Sequence, residues 1–155
     1  MPFFIGGFDY TVDDKGRVNI PAKFRNADPK LAHSKYYIYF EEEDICLHVY
    51  TPDEFDRKMV EKVDKLSNIK KTHRGYGSIV GENVTDTFLD KQGRITIPHN
   101  FLENAKIKKK VKIIGAFSRI EIWDPKVREE YKNGLGGPQA KAKLEDEISN
   151  EMKSE

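Results

Sequence analysis

Residues 13–24 read DDKGRVNIPAKF, and residues 90–101 read DKQGRITIPHNF. Asp, Gly, Arg, Ile, Pro and Phe recur at a constant offset of 77 (93 − 16 for the glycines), and Val18 is answered by Ile95. A gapless match that keeps both a glycine and a proline, residues that fix special backbone shapes, marks an internal duplication. Just before the first copy, Phe8, Tyr10 and Val12 alternate with Asp9 and Thr11, the period of a half-buried strand. Residues 13–16 then read as a tight turn with Gly16 at positive φ. Residues 17–20 return as a strand with Val18 and Ile20 on one face and Arg17 and Asn19 on the other. The two strands make a hairpin whose returning arm begins on an arginine. Pro21 stops that arm and opens a short helix over 21–25.

Outward from the first copy, a loop is expected over 26–35 and an aromatic, β-branched strand over 36–40. An acidic turn at 41–44 leads to a strand over 45–50. Thr51, Pro52 and Glu54 spell a helix start with a capping box, and Phe55, Met59, Val63 and Leu66 fall on one helical face. Residues 68–80 are basic and glycine-spaced and read as a connector. The second half replays the first: strands at 83–89, 94–97, 111–114 and 120–123, a short helix from Pro98, and a last helix capped at Asp124 and Pro125. The implied division is a first repeat over 1–66, a connector over 67–82, a second repeat over 83–132 and a flexible charged tail over 133–155. In that tail Ala140, Leu144, Ile148 and Met152 have weak amphipathic spacing.

At 155 residues the chain fits one domain or two small intertwined halves. Each half alone is too small to bury a good core, so the halves should pack on each other. The balance of 27 basic and 26 acidic residues, net +1, neither announces a nucleic-acid partner nor removes one. A single cysteine, Cys46, rules out an intrachain disulfide framework and suits a reducing cytoplasm. The opening MPFFIGGF is short and lacks the basic residues of a signal peptide, and no stretch reaches membrane-span length. The chain reads as soluble and intracellular.

Arg17 and Arg94 are the main functional candidates. Each opens a strand beside a glycine turn, at equivalent places in the repeats, where a guanidinium suits bidentate contact with guanine edges or phosphates. The competing reading is a structural ion pair, since Asp13 precedes Arg17 by the same spacing as Asp90 precedes Arg94. Spacing alone favours the ion pair, and both can hold if the aspartate fixes the arginine that reads a ligand. Lys15, Lys23 and Arg25 accompany Arg17, whereas Gln92, Asn100 and Leu102 stand at the corresponding second-repeat positions. The two faces are therefore electrostatically unequal. Catalysis finds no constellation: His33, His48, His73 and His99 lack metal-ligand spacing, Cys46 sits in an apolar strand, and the glycines match no phosphate loop. No enzyme activity, metal, cofactor or small-molecule substrate is expected.

At these residues the chain resembles the MraZ family, bacterial transcriptional regulators built from two AbrB/SpoVT-type repeats. The likeness runs through Phe4, Gly6, Phe8, Asp13, Lys15, Gly16, Arg17 and residues 20–25 in the first half. In the second it runs through Asp90, residues 93–95, Ile97, Pro98, Ala105, Val111, Gly115 and residues 119–123, and ends near Tyr131. It implies a mainly β, α+β fold with short helices, in which swapped hairpins interlock as a pseudo-two-fold barrel and subunits close into a ring. It further implies a cytoplasmic, nucleoid-associated repressor and autoregulator that binds repeated double-stranded DNA boxes at the promoter of a cell-division and cell-wall gene cluster. In that family the Asp-x-x-x-Arg motifs carry DNA recognition. The resemblance thus assigns Arg17 and Arg94 to DNA contact, Asp13 and Asp90 to holding them, and Lys15, Lys23 and Arg25 to the backbone. A ring also accommodates a nearly neutral subunit, because linked sites multiply weak contacts by an avidity of about 10²–10⁴. The rival from another class is an oligomeric interaction scaffold whose paired motifs form subunit interfaces.

Overall fold

The computed structural model describes residues 3–27 and 35–154. Most of the loop expected over 26–35, with His33, lies outside the described residues. Two compact units follow one another, residues 1–124 and 125–155.

The first unit is a six-stranded antiparallel sheet and a two-stranded ribbon. Its strands are β1 (Phe4–Thr11), β2 (Arg17–Asn19), β3 (Lys35–Glu41), β4 (Cys46–Tyr50), β5 (Val84–Phe88), β6 (Arg94–Thr96), β7 (Lys110–Phe117) and β8 (Ile120–Trp123). The sheet order is β1-β7-β8-β4-β3-β5, and β2 pairs with β6. Exchanging β1 with β5, β3 with β7 and β4 with β8 only reverses that order, so the duplication is also a symmetry of pairing. Both seams between equivalent strands are centred on equivalent residues. Val18 faces Ile95 in the ribbon, and His48 faces Glu121 where β4 meets β8.

The expected local hairpins do not form. Asp13 N–H donates to Arg17 O at 2.9 Å and Asp90 N–H to Arg94 O at 2.8 Å. Beyond these closing bonds the arms part, β1 joining β7, β5 joining β3, and β2 joining β6. Alternation in a sequence fixes which face a strand buries, not which strand it pairs with. The sheet ends at β1 and β5, and no ladder among the described residues closes it into a barrel.

The symmetric pairing builds one core from both halves. Val18, Ile20 and Phe24 of the first motif and Ile95, Ile97 and Phe101 of the second are buried together with Leu47, Val49, Ile113, Ile120 and Ile122. Each such side chain contributes about 1.5–3 kcal/mol over an exposed one, which neither half could supply alone. Cys46, His48 and Tyr50 alternate to the opposite face of β4 and are buried there too.

Short helices close the turns: α1 (Ala22–Arg25), α2 (Pro52–Phe55), α3 (Glu61–Asp64), α4 (Lys71–Glu82) and α5 (His99–Asn104). The capping box is partly realised, with Glu54 N–H donating to Thr51 Oγ1 at 3.3 Å. The helix expected to run on from it is interrupted by a π-helical segment, Asp56–Val60. The glycine-spaced connector is itself helical from Lys71. Its Val80 is buried, and Gly77 lets the helix pass within reach of Val63. Packing here overrides the low helix propensity of Gly75, Gly77 and Gly81.

The second unit consists of α6 (Pro125–Gly134), a 3₁₀ turn (Gly137–Gln139) and α7 (Ala140–Lys153). The stretch expected as a flexible charged tail is thus largely helical, with Lys141 and Glu145 paired one turn apart. Leu144 is partly covered while Ile148 and Met152 stay exposed. No helix among the described residues is long and apolar enough to cross a membrane.

Candidate nucleic-acid interface

Each duplicated turn is built around one carboxylate. Asp13 Oδ1 accepts from the N–H groups of Lys15 (3.0 Å) and Arg17 (2.8 Å), and Oδ2 accepts from Arg17 Nε at 2.7 Å. Asp90 repeats the arrangement with the N–H groups of Gln92 and Arg94 and with Arg94 Nε, all at 2.9 Å. Gly16 and Gly93 both sit at φ +79°, the left-handed conformation that lets the chain reverse inside each turn. Both carboxyls are held below the usual aspartate value. The largest cause is the backbone N–H of Arg17 or Arg94, with the guanidinium bond adding to it.

The ion pair that spacing suggested is therefore present in both copies, and it uses only part of each guanidinium. Nε is committed to the aspartate, while the terminal nitrogens make no hydrogen bond among the described residues. The arginine side chains are 33% and 24% accessible, which leaves those nitrogens within reach of a ligand.

The ribbon decides how the two arginines relate. Arg17 stands opposite Thr96 and Arg94 opposite Asn19, with Val18 and Ile95 buried between them. Alternation thus puts Arg17, Asn19, Arg94 and Thr96 together on the face turned from the core. From strand spacing and rise, the Cα atoms of Arg17 and Arg94 stand about 8 Å apart on a diagonal. The turns also brace each other, since Ile20 N–H donates to Gly93 O at 2.9 Å and Ile97 N–H to Gly16 O at 2.8 Å. Asn19 and Thr96 escaped the sequence reading as site residues. Their signal was the alternation with Val18 and Ile95, which acquires meaning only once β2 is known to pair with β6.

Among the basic companions, Lys15 and Lys23 are exposed beside the first turn. Arg25 is not placed like them: it is half-buried, and its Nε donates to Ile20 O at 2.9 Å. The second repeat offers exposed Gln92 and Asn100 and buried Leu102 in their places. Downstream, Lys112 is paired with Asp9 at 2.8 Å.

Of the residues weighed for catalysis, Cys46 and His48 lie together on the far face of β4, while His73 and His99 stand on separate helices. Burial pushes the Cys46 thiol far up. His48 is pulled down to about 4 by burial and then by the Arg119 charge, against the opposing pull of Glu121. Glu121 accepts from Arg119 Nη2 at 2.8 Å and from Trp123 Nε1 at 2.9 Å. Asp44, Cys46 and His48 bring one donor atom each within 4.8 Å of one another, a grouping that linear spacing did not reveal. A protonated thiol and the neighbouring Arg119 charge make this set a poor host for a cation.

Comparison with known proteins accords with the doubling. The family described as "MraZ protein, putative antitoxin-like" matches residues 3–78 and 83–145, one Asp-x-x-x-Arg turn in each match. The second match runs past Tyr131, where the likeness in motifs ended, into the second unit. A protein of Caldanaerobacter subterraneus named "Transcriptional regulator MraZ" is 39% identical over 127 residues, 82% of this chain and 85% of that protein. Proteins of the same name from Finegoldia magna and Mesoplasma florum are each 38% identical over 130 residues, 84% of this chain and 87% and 86% of theirs. With both halves matched and relatives this similar along most of the length, the chain belongs to the MraZ family.

Proposed function

We propose that this protein is a transcriptional regulator that binds double-stranded DNA through the exposed face of the β2–β6 ribbon. The observation that carries the proposal is the placement of Arg17 and Arg94 on one face about 8 Å apart, each anchored by Nε and free at its terminal nitrogens. A two-stranded ribbon fits a major groove about 12 Å wide, and 8 Å spans two to three base steps. Arg17 and Arg94 read base edges, Asp13 and Asp90 aim them, and Lys15 and Lys23 hold the phosphates. The name the relatives carry, transcriptional regulator, supports the regulatory role, and no enzymatic activity is part of this reading.

The finer reading is a cytoplasmic, nucleoid-associated repressor and autoregulator of a cell-division and cell-wall gene cluster, binding repeated promoter boxes as a ring. The interlocked AbrB/SpoVT-type barrel belongs to the same proposal, and the pairing of β1 with β7, β3 with β5 and β2 with β6 across repeats supports it. A ring repeats the ribbon around its circumference, so its contacts add by avidity despite the net charge of +1.

The test compares binding of the chain's own upstream DNA and of shuffled DNA by wild type, Arg17→Ala and Arg94→Ala, with light scattering to follow assembly. Each alanine should weaken specific binding by roughly 5- to 150-fold, the range of one lost bidentate contact, with assembly intact. Wild type that shows no preference for upstream DNA at moderate salt sinks the proposal. Variants that fall apart instead identify the arginines as interface residues, the scaffold alternative.

A further inference from the structure

The two turns are alike within themselves and unlike in what stands behind them. A Cβ on Gly16 would lie 2.5 Å from the carbonyl oxygen of Ile97, so the first turn rests on backbone. A Cβ on Gly93 would lie 2.7 Å from Arg25 Cζ and 2.8 Å from its Nε and Nη1, so the second turn rests on a side chain of the other repeat. That side chain is fixed at its near end by the bond from Nε to Ile20 O (2.9 Å), and Ile20 N–H in turn holds Gly93 O. Asn19 Nδ2 donates to Gln92 O at 3.1 Å. Inward, the Arg25 charge acts on the hydroxyl of Tyr36, a fully buried residue without a hydrogen-bond partner at that oxygen among the described residues. The position equivalent to Arg25 is Leu102 (102 − 25 = 77), which has no planar fork to set against the first turn.

We infer that Arg25 is a positioning residue for the second arginine-bearing turn, its guanidinium a strut behind Gly93 that orients Arg94, and not a contact to the DNA backbone. Its consequence for DNA rests on the function proposed above; its consequence for the turn does not. Each arginine is held by its own aspartate, but the turn that carries Arg17 is backed by backbone, whereas the turn that carries Arg94 is backed by a side chain with two properties: a planar group and a donor at Nε. Lysine keeps the charge but loses both properties.

The test uses the full chain with Arg25→Met and Arg25→Lys. In the free protein, amide hydrogen exchange at Ile20, Gly93 and Arg94 should accelerate about tenfold or more in both variants, while Gly16 and Arg17 stay at wild-type rates. Equal changes in both turns, no change, or wild-type protection in the lysine variant would overturn the inference. With upstream DNA, both variants should lose affinity alike. The loss should vanish in an Arg94→Ala background and persist in an Arg17→Ala background. A phosphate contact predicts the reverse: lysine preserves affinity, and methionine lowers the salt slope by about one per site. If wild type selects no DNA, the functional proposal falls and the exchange pattern still decides the role of Arg25. Should Arg25→Met not fold, Arg25→Gln takes its place: it keeps a donor for Ile20 O but has no guanidinium behind Gly93, so Gly93 and Arg94 should still exchange faster, and wild-type protection at both would overturn the inference.

Discussion

Replacing Gly16 by alanine should destabilise the protein more than replacing Gly93, although both glycines have φ +79° and occupy equivalent turns. The left-handed conformation costs an L-residue roughly 1–2 kcal/mol at either site. The difference lies in the neighbours. The new methyl at position 16 would meet Ile97 O at 2.5 Å, against about 3.4 Å for ordinary contact. Relieving that overlap moves backbone by most of an ångström in the β2–β6 seam, where Ile97 N–H also donates to Gly16 O at 2.8 Å. Losing that bond in a buried setting adds about 1–3 kcal/mol, for a total of roughly 2–5 kcal/mol. At position 93 the obstructing group is the end of a side chain. Arg25 can swing aside at the cost of its bond to Ile20 O, about 1 kcal/mol, for a total of roughly 2–3 kcal/mol. Urea unfolding followed by Trp123 fluorescence, at fixed protein concentration, measures both from the shift in midpoint at unchanged slope. A Gly93→Ala variant as damaged as Gly16→Ala, or more so, would refute the distinction between a backbone wall and a side-chain wall.

Three further outcomes follow from the electrostatics and burial. Asp13 and Asp90 have folded values below their ordinary 3.8, so their support is complete above the unfolded value and is lost as pH falls through the folded one. Carboxyl NMR titration should place both below 3.8. In Arg17→Ala, Asp13 should return only part of the way, because the backbone N–H of residue 17 remains; a full return contradicts the assignment of the main cause. His48, buried neutral with its value lowered to about 4, should make stability decline as pH drops from 6.5 toward 4, because the unfolded state takes the proton first. His48→Leu should flatten that part of the profile, and an unchanged slope would place its cause elsewhere. Cys46, fully buried and with its thiol pushed up, should react with iodoacetamide on the order of 100-fold more slowly in the native protein than in urea, and comparable rates would rule out an inert core thiol.

Much of this was legible in the sequence where the information is local. The positive φ at Gly16 and Gly93, the strand starts at Arg17 and Arg94, and the Thr51 cap each depend on residues within four positions of one another. The Asp–Arg pair was legible for the same reason. What the sequence concealed was the partner of each strand. Val18 and Ile20 declare a buried face but carry no label naming Ile95, so a local hairpin was the natural expectation. The role of Arg25 was hidden likewise: a basic residue after Phe24 looks solvated until folding brings Gly93 against it. The helix at Lys71–Glu82 was hidden by its glycines, whose unfavourable propensity is outweighed by contacts distant in sequence. The Asp44, Cys46 and His48 cluster was hidden by its setting, across the join of an acidic turn and a strand that reads as plain apolar filling.

The self-centred ribbon, with Val18 facing Ile95, has a consequence for how such a protein can vary. Two separate chains meeting at that seam would have to carry identical turns, and any substitution would appear on both sides at once. Joined in one polypeptide, the halves keep the shared geometry while each position becomes free to change alone. Lys15 can face a world in which its counterpart is Gln92, and Arg25 one in which its counterpart is Leu102. A palindromic frame can in this way carry an asymmetric message, with direction written into a structure whose pairing has none.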